Sequence, residues 1–186
     1  MTFTEAQWGL LAAYRSRGSE AVSGIEVRVY QEHPSKLIFQ YVLRAEISRI
    51  RVPSLQAPAR TDGLWKHTCF EGFVAVSGTP GYCELNFSPS RQWAMYRFNG
   101  YRAGMSVAEI TMPPQLTVRS LEDRLELDAV VELRDLPGAH PGHSLRLALS
   151  AVVEDDSGTL SYWALKHAPD KPDFHHADSF VLELPL

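Results

Sequence analysis

Three stretches of the chain concentrate the residues that could do chemistry. In DGLWKHTCFEGFVAV, residues 62–76, strand alternation puts Trp65, His67, Cys69, Glu71 and Phe73 on one face and Lys66, Thr68, Phe70, Gly72 and Val74 on the other. Imidazole, thiolate and carboxylate all bind zinc. Cβ atoms two apart on a strand, however, stand roughly 7 Å from each other, and a metal site draws its ligands from several elements. The run therefore reads as polar groups sharing a face with an indole. If Glu71 is buried it needs a cation, because an unpaired carboxylate is too costly to remove from water; Arg91, Arg97 and Arg102 are the candidates nearby. The same pair with one side open would bond sugar hydroxyls.

The second stretch, YCELNFSPSRQWAMYRFNGYR, residues 82–102, carries six aromatics and three arginines, enough to build either an interior or a recognition surface. Alternation groups Tyr82, Glu84 and Asn86 against the apolar Cys83, Leu85 and Phe87. Beyond the Ser88-Pro89-Ser90 turn, Trp93, Met95 and Arg97 oppose Ala94, Tyr96 and Phe98. The third stretch, SYWALKHAPDKPDFHHADSF, residues 161–180, holds Trp163, Lys166, His167, Asp170, Asp173, Phe174, His175 and His176. Pro169 and Pro172 predict an irregular loop there, serving either as a binding loop or as a packed cover with hydrated histidines. Glu71, Glu84 and Asp173 are of the type that forms a glycosidase's carboxylate pair, but spacing in sequence does not fix their separation. No G-x-S-x-G elbow, P-loop, H-E-x-x-H or dinucleotide glycine fingerprint occurs, so a noncatalytic protein is expected.

The elements that must position these residues are strands. In LIFQYVLRAEISRIRV, residues 37–52, Leu37, Phe39, Tyr41, Leu43, Ala45 and Ile47 share one face. HSLRLALSAVVED alternates likewise, and TLSYWALKH returns after the DDSG turn as a hairpin. Further strands are predicted at 24–32, 64–77, 81–88, 92–98, 107–112, 115–121, 124–134 and 178–184, separated by Gly- and Pro-bearing turns. Many short strands at this spacing predict an all-β fold, a jelly-roll-like antiparallel β-sandwich of two packed sheets. Residues 4–15 are expected to form a short N-terminal helix, capped by Thr4, with Trp8, Leu11 and Ala12 on one side.

The chain has 186 residues with prolines and glycines spread throughout, which predicts one domain over 1–186. At this size roughly 70% of the unfolded surface is buried without any staple. A net charge of −4 supplies no positive field for nucleic acid or acidic lipid, and no membrane-spanning apolar run occurs. Without an export signal, Cys69 and Cys83 are expected as reduced thiols in a soluble cytoplasmic protein.

The succession LWKHTCFEGFVAV, YCELNFSPSRQWAMYRFNGYRAGM and YWALKHAPDKPDFHHADSF resembles bacterial DOMON-like proteins related to family 9 carbohydrate-binding modules. That resemblance implies a noncatalytic β-sandwich clamping a mono- or oligosaccharide end between two tryptophans, here Trp65 and Trp163. Glu71 and an arginine, best matched by Arg97, would be the polar partners, flanked by His167. Stacking of a pyranose on indole with charged groups at the rim is physically sound. No cofactor is expected from this reading. The family's structural calcium has no convincing loop of oxygen ligands here. The wider DOMON group includes haem binders with methionine and histidine axial ligands, a role Met95 or Met105 with His167 would fill. A third reading makes the aromatic surface a protein-interaction or homodimer face.

Overall fold

The computed structural model describes residues 6–14 and 20–186. Its strands are β1 (Gln7–Ala13), β2 (Val22–His33), β3 (Lys36–Ala45), β4 (Cys69–Val76), β5 (Tyr82–Phe87), β6 (Trp93–Phe98), β7 (Ser106–Val107), β8 (Gln115–Ser120), β9 (Arg124–Glu132), β10 (Ser144–Glu154), β11 (Leu160–Ala164) and β12 (Leu182–Pro185). Eleven follow one antiparallel path in the order β7-β6-β5-β4-β10-β11-β1-β2-β3-β9-β8. β12 takes the part of β10's edge that β11 leaves free, pairing at Ser144–Leu147 while β11 pairs at Ser150–Glu154. Among the described residues no helix is long and apolar enough to cross a membrane.

Two features of the expected architecture are corrected. The N-terminal helix is absent: residues 7–13 form β1, and the Thr4 cap lies outside the described residues. A helix of about twelve residues is marginal on its own, whereas an extended segment here finds ladder partners on both sides. Gln7–Leu11 pair with Val29–Ile25 of β2, and Ala12 and Ala13 pair with Ala164 and Trp163 of β11. The second correction follows from the first. Because β1 hydrogen-bonds to both halves, the strands form one strongly curled half-barrel sheet rather than two packed sheets.

The curl turns one face of the sheet inward upon itself. Phe39 of β3 meets Phe87 of β5 with ring centroids 5.7 Å apart, and Tyr41 meets Phe70 at 4.9 Å. The Tyr41 hydroxyl is satisfied by donating to the Glu71 carbonyl at 2.9 Å. Ile25, Leu37, Leu125, Leu127 and Leu145 complete this core without solvent exposure. At β4 the closure is tight, since a Cβ added at Gly72 would meet Phe39 at 3.0 Å.

The outer face of β4, β5, β6, β10 and β11 carries a second, smaller apolar cluster that includes Cys69, Phe73, Tyr96, Phe98 and Phe174. Cys83 belongs to the inner core and Cys69 to this outer cluster, so the two free thiols point to opposite faces of neighbouring strands. Loops after β3, β6 and β11 lie over the outer face, and the candidate site forms beneath them.

Candidate functional site

A cleft of about 440 Å³ opens on the outer face. Its floor is built by register. Glu71 of β4 stands opposite Asn86 of β5, and Glu84 lies two residues from Asn86 on the same face. Such diagonal neighbours have Cβ atoms about 7–8 Å apart, so the ladder itself brings two carboxylates together. Aromatic side chains rise around them: Tyr96 and Phe98 from β6, Tyr162 from β11, Phe174 from the following loop and Trp65 from the loop before β4. Gly63, at φ 77°, starts a 3-10 turn over Leu64–Lys66 that lifts Trp65 out of strand alternation. The indole remains 37% exposed and stands edge-on to Tyr96 at 6.0 Å. Tyr96 is itself held by donating its hydroxyl to Asp62, whose carboxylate also takes Arg60 at 2.7 Å.

Arg102 supplies the cation at the cleft. It follows β6 in a left-handed turn, φ 51°, a conformation that costs a non-glycine residue on the order of 1 kcal/mol. Its backbone N–H donates to the Tyr82 hydroxyl at 3.2 Å, and its guanidinium donates to Asp173 Oδ1 from Nη2 at 2.8 Å and from Nε at 3.2 Å. Tyr101 donates to the other oxygen of Asp173, and the His175 backbone N–H adds a bond at 3.2 Å. The His175 ring packs against Phe73 and Phe98, shares a 2.8 Å hydrogen bond with the Tyr82 hydroxyl through Nδ1, and turns Nε2 toward Glu84 at 3.6 Å.

Burial dominates the electrostatics. Glu71 is 3% exposed; desolvation and then the neighbouring Glu84 push its pKa well up, with Ser150 and Arg102 only partly opposing. Glu84 is also raised by burial, against the bond it accepts from Asn86 Nδ2 at 2.8 Å and the charge of Arg102. Burial, with Arg102 adding repulsion, lowers His175 to about 4, which leaves it neutral at pH 7. A floor in which Glu71 holds its proton more tightly than the unfolded chain loses stability as pH rises from the ordinary carboxylate range through the raised value. Glu71→Gln should remove that loss. The variant is expected to melt above wild type at pH 8 and level with it at pH 4.5. Thermal melts at the two pH values check this, and a constant offset would remove ionisation as the cause.

The sequence-selected residues separate on this frame. Trp65 and Glu71 share the cleft. Trp163 does not: it is 7% exposed within the inner core, with Nε1 donating to Ser161 Oγ at 3.0 Å. The paired-indole clamp is therefore corrected, because the two rings lie on opposite faces of the sheet and no open gap separates them. Arg97 points to the same face as Trp93 and Met95, donates weakly to the Glu109 carbonyl at 3.4 Å, and lines a different cleft of about 590 Å³ with Val74, Cys83 and Leu136. His167 is hydrogen-bonded to the Ala12 carbonyl at 2.7 Å and packs beside Tyr14. His67 turns from Cys69 and Glu71 to pair with Glu154 at 2.7 Å, and no cluster of three metal-ligating side chains occurs among the described residues. Met95 is sealed in the core, while Met105 is exposed at the cleft without His167 beside it, so neither methionine shares a pocket with that histidine.

Glu84, Tyr96, Arg102, Tyr162 and His175 line the cleft, although the sequence reading names Arg102 only as a possible cation for Glu71, Glu84 only as a possible catalytic carboxylate and His175 only as part of an irregular loop. Glu84 was legible in principle, since alternation sets it beside Tyr82 and Asn86; the others depend on which strands become neighbours and on loop paths.

No protein-family profile matches the chain, and no curated protein matches it significantly. Solved structures do. A candidate carbohydrate-binding protein from Bacteroides uniformis superposes with a TM-score of 0.70 at 12% identity, covering 95% of this chain and 84% of its own. A family 9 carbohydrate-binding module from Caldicellulosiruptor kristjanssonii in complex with cellotriose gives 0.53 at 12% identity over 87% of this chain and 73% of its own. Its complex with glucose gives 0.52 at 12% identity over 87% and 75%. At this identity the likeness is one of fold. The family 9 part of the resemblance has counterparts among these three structures, and the DOMON-like part has none among them.

Proposed function

We propose that the outer-face cleft binds a mono- or oligosaccharide without chemically transforming it. A pyranose ring lies against the half-exposed Trp65 indole, and its hydroxyls meet Glu71, Glu84 and Arg102. The observation that carries this reading is the joining, in one cleft, of an exposed indole with two buried carboxylates and an arginine. Apolar C–H faces of a sugar stack on aromatic rings, while charge-assisted hydrogen bonds fix its orientation. The fold is shared with a module crystallised with glucose and with cellotriose, which supports the same ligand class. The two glutamates rise from adjacent strands of one floor, a poor placement for an acid and a base that must flank a scissile bond. That argues for binding rather than hydrolysis.

Calorimetric titration with glucose, cellobiose, cellotriose and xylobiose at millimolar concentration tests the reading. Modest affinity is expected, because small sugars bury little area and displace ordered water. Trp65→Ala is expected to weaken binding about tenfold, corresponding to roughly 1–1.5 kcal/mol for an aromatic contact, with little change in stability because the ring is partly solvated. Absence of heat with all four sugars, or unchanged affinity in Trp65→Ala, would count against it.

A further inference from the structure

Two carboxyl groups, Glu71 and Glu84, stand on the cleft floor beside an arginine that is already committed elsewhere. Arg102 already gives both Nε and Nη2 to Asp173, an aspartate that is 1% exposed and also accepts from Tyr101 and the His175 N–H. Glu84 accepts a single side-chain hydrogen bond, from Asn86. Glu71 is more than nine-tenths buried and lines the cleft, and among the described residues the buried Ser150 hydroxyl is the only side-chain group placed to donate to it. His175 faces Glu84 at 3.6 Å, beyond hydrogen-bonding distance. The walls are aromatic, formed by Trp65, Tyr96, Tyr162 and Phe174, and the face of such a ring attracts a cation. Two acceptor-rich carboxylates inside an aromatic ring of walls form the environment that an ammonium group matches better than a hydroxyl does.

We propose that the cleft selects a sugar bearing a free ammonium group, an unacetylated hexosamine whose –NH3+ donates to Glu71 and Glu84 while its ring lies on Trp65. This rests on the saccharide-binding reading above and narrows it to a charge class. A hydroxyl at the same position offers one proton to two acceptors; an ammonium offers three, together with a positive charge that favours the ionised form of both buried carboxyls. Acetylation removes that charge and adds bulk at the floor.

The test is calorimetric titration of the full chain at pH 7 with glucosamine, glucose, N-acetylglucosamine and ethanolamine. Glucosamine is expected to bind at least about tenfold tighter than glucose or N-acetylglucosamine, the scale of a charge-assisted hydrogen bond. In Glu84→Gln the ratio of glucosamine to glucose affinity should collapse toward one. Should that variant fail to fold, raising sodium chloride from 50 to 500 mM on the wild type should weaken glucosamine and leave glucose nearly unchanged. Glucose binding as tightly as glucosamine overturns this inference and leaves the saccharide reading standing. No binding by any of the three sugars overturns both. Ethanolamine binding as tightly as glucosamine overturns the sugar reading and, with it, the hexosamine assignment.

Discussion

Trp163→Ala is expected to lower stability by about 3–5 kcal/mol, the usual cost of emptying a buried aromatic site, while Trp65→Ala at the cleft leaves stability nearly untouched. The difference follows from the face each ring occupies. Trp163 projects from β11 into the inner core, between Ala151 of β10 and Ala13 of β1 in the ladder, at the seam where β1 joins the two halves of the sheet. Strands on both sides hold that seam open, so the cavity left by the indole cannot collapse, and the cavity term is then close to its maximum. Ser161 would lose the Trp163 Nε1 donor but keeps its own bond to the Val153 carbonyl at 3.3 Å, so truncation creates a void without orphaning the hydroxyl. Against a typical total of about 5–15 kcal/mol the loss is a large fraction. Urea unfolding should show a lower midpoint at constant slope. A small stability change accompanied by lost sugar binding would mean that the indole faces the ligand after all.

The contrast between the two tryptophans shows where sequence reading succeeds and stops. Alternation sorted β5 and β6 residue by residue: Tyr82, Glu84 and Asn86 face the outer cluster, and Cys83, Leu85 and Phe87 face the core. Trp65 does end up beside Glu71 as alternation has it, but from a loop, and His67 turns away, because the left-handed Gly63 begins a 3-10 turn where strand parity no longer applies. At β11, parity separates Tyr162 from Trp163, but only the pairing with β10 decides which of them faces out, and that pairing is a long-range fact. The same dependence explains β1. Its short apolar pattern fits a helix in isolation, and two ladder edges far away in sequence make it a strand.

The arginine and the histidine were harder for a different reason. Arg97 sits within β6, where parity commits it to the face of Trp93 and Met95. Arg102 lies beyond the strand in a left-handed turn that no periodicity predicts. In the loop after β11, His167 and His175 stand eight residues apart with two prolines between them, and only the packing against Phe73 and Phe98 brings His175 to the floor. Residue types in that loop were informative; their directions were not.

Removing the carboxylate that organises this loop should have the second large effect. Burial alone would raise the Asp173 pKa, but bonds from Arg102 and Tyr101 and the guanidinium charge outweigh it and hold the carboxyl at about 2. Asp173→Ala deprives Arg102, Tyr101 and the His175 N–H of their shared acceptor. Breaking a buried pair costs about 3–5 kcal/mol; Arg102 is half solvated and can recover some hydration, so about 2–4 kcal/mol is expected at pH 7, with sugar affinity reduced at least about tenfold as Arg102 and His175 lose their positions. The pH dependence separates charge from packing. A carboxyl depressed in the folded state contributes stability that is present above its ordinary value near 3.8 and lost as pH falls toward 2. The lowered His175, by the same sign, costs stability as pH falls from 6.5 toward 4. The acid step below pH 3.8 should therefore appear in wild type and be missing from Asp173→Ala, whereas above it the His175 loss is opposed by the Glu71 gain; Asp173→Asn should be intermediate at pH 7 because it keeps an acceptor without the charge. Urea midpoints between pH 7 and pH 2.5 measure the step. If Asp173→Ala stays within about 0.5 kcal/mol of wild type at pH 7, the loop is held by its aromatic packing, and the carboxylate is not what fixes the cleft.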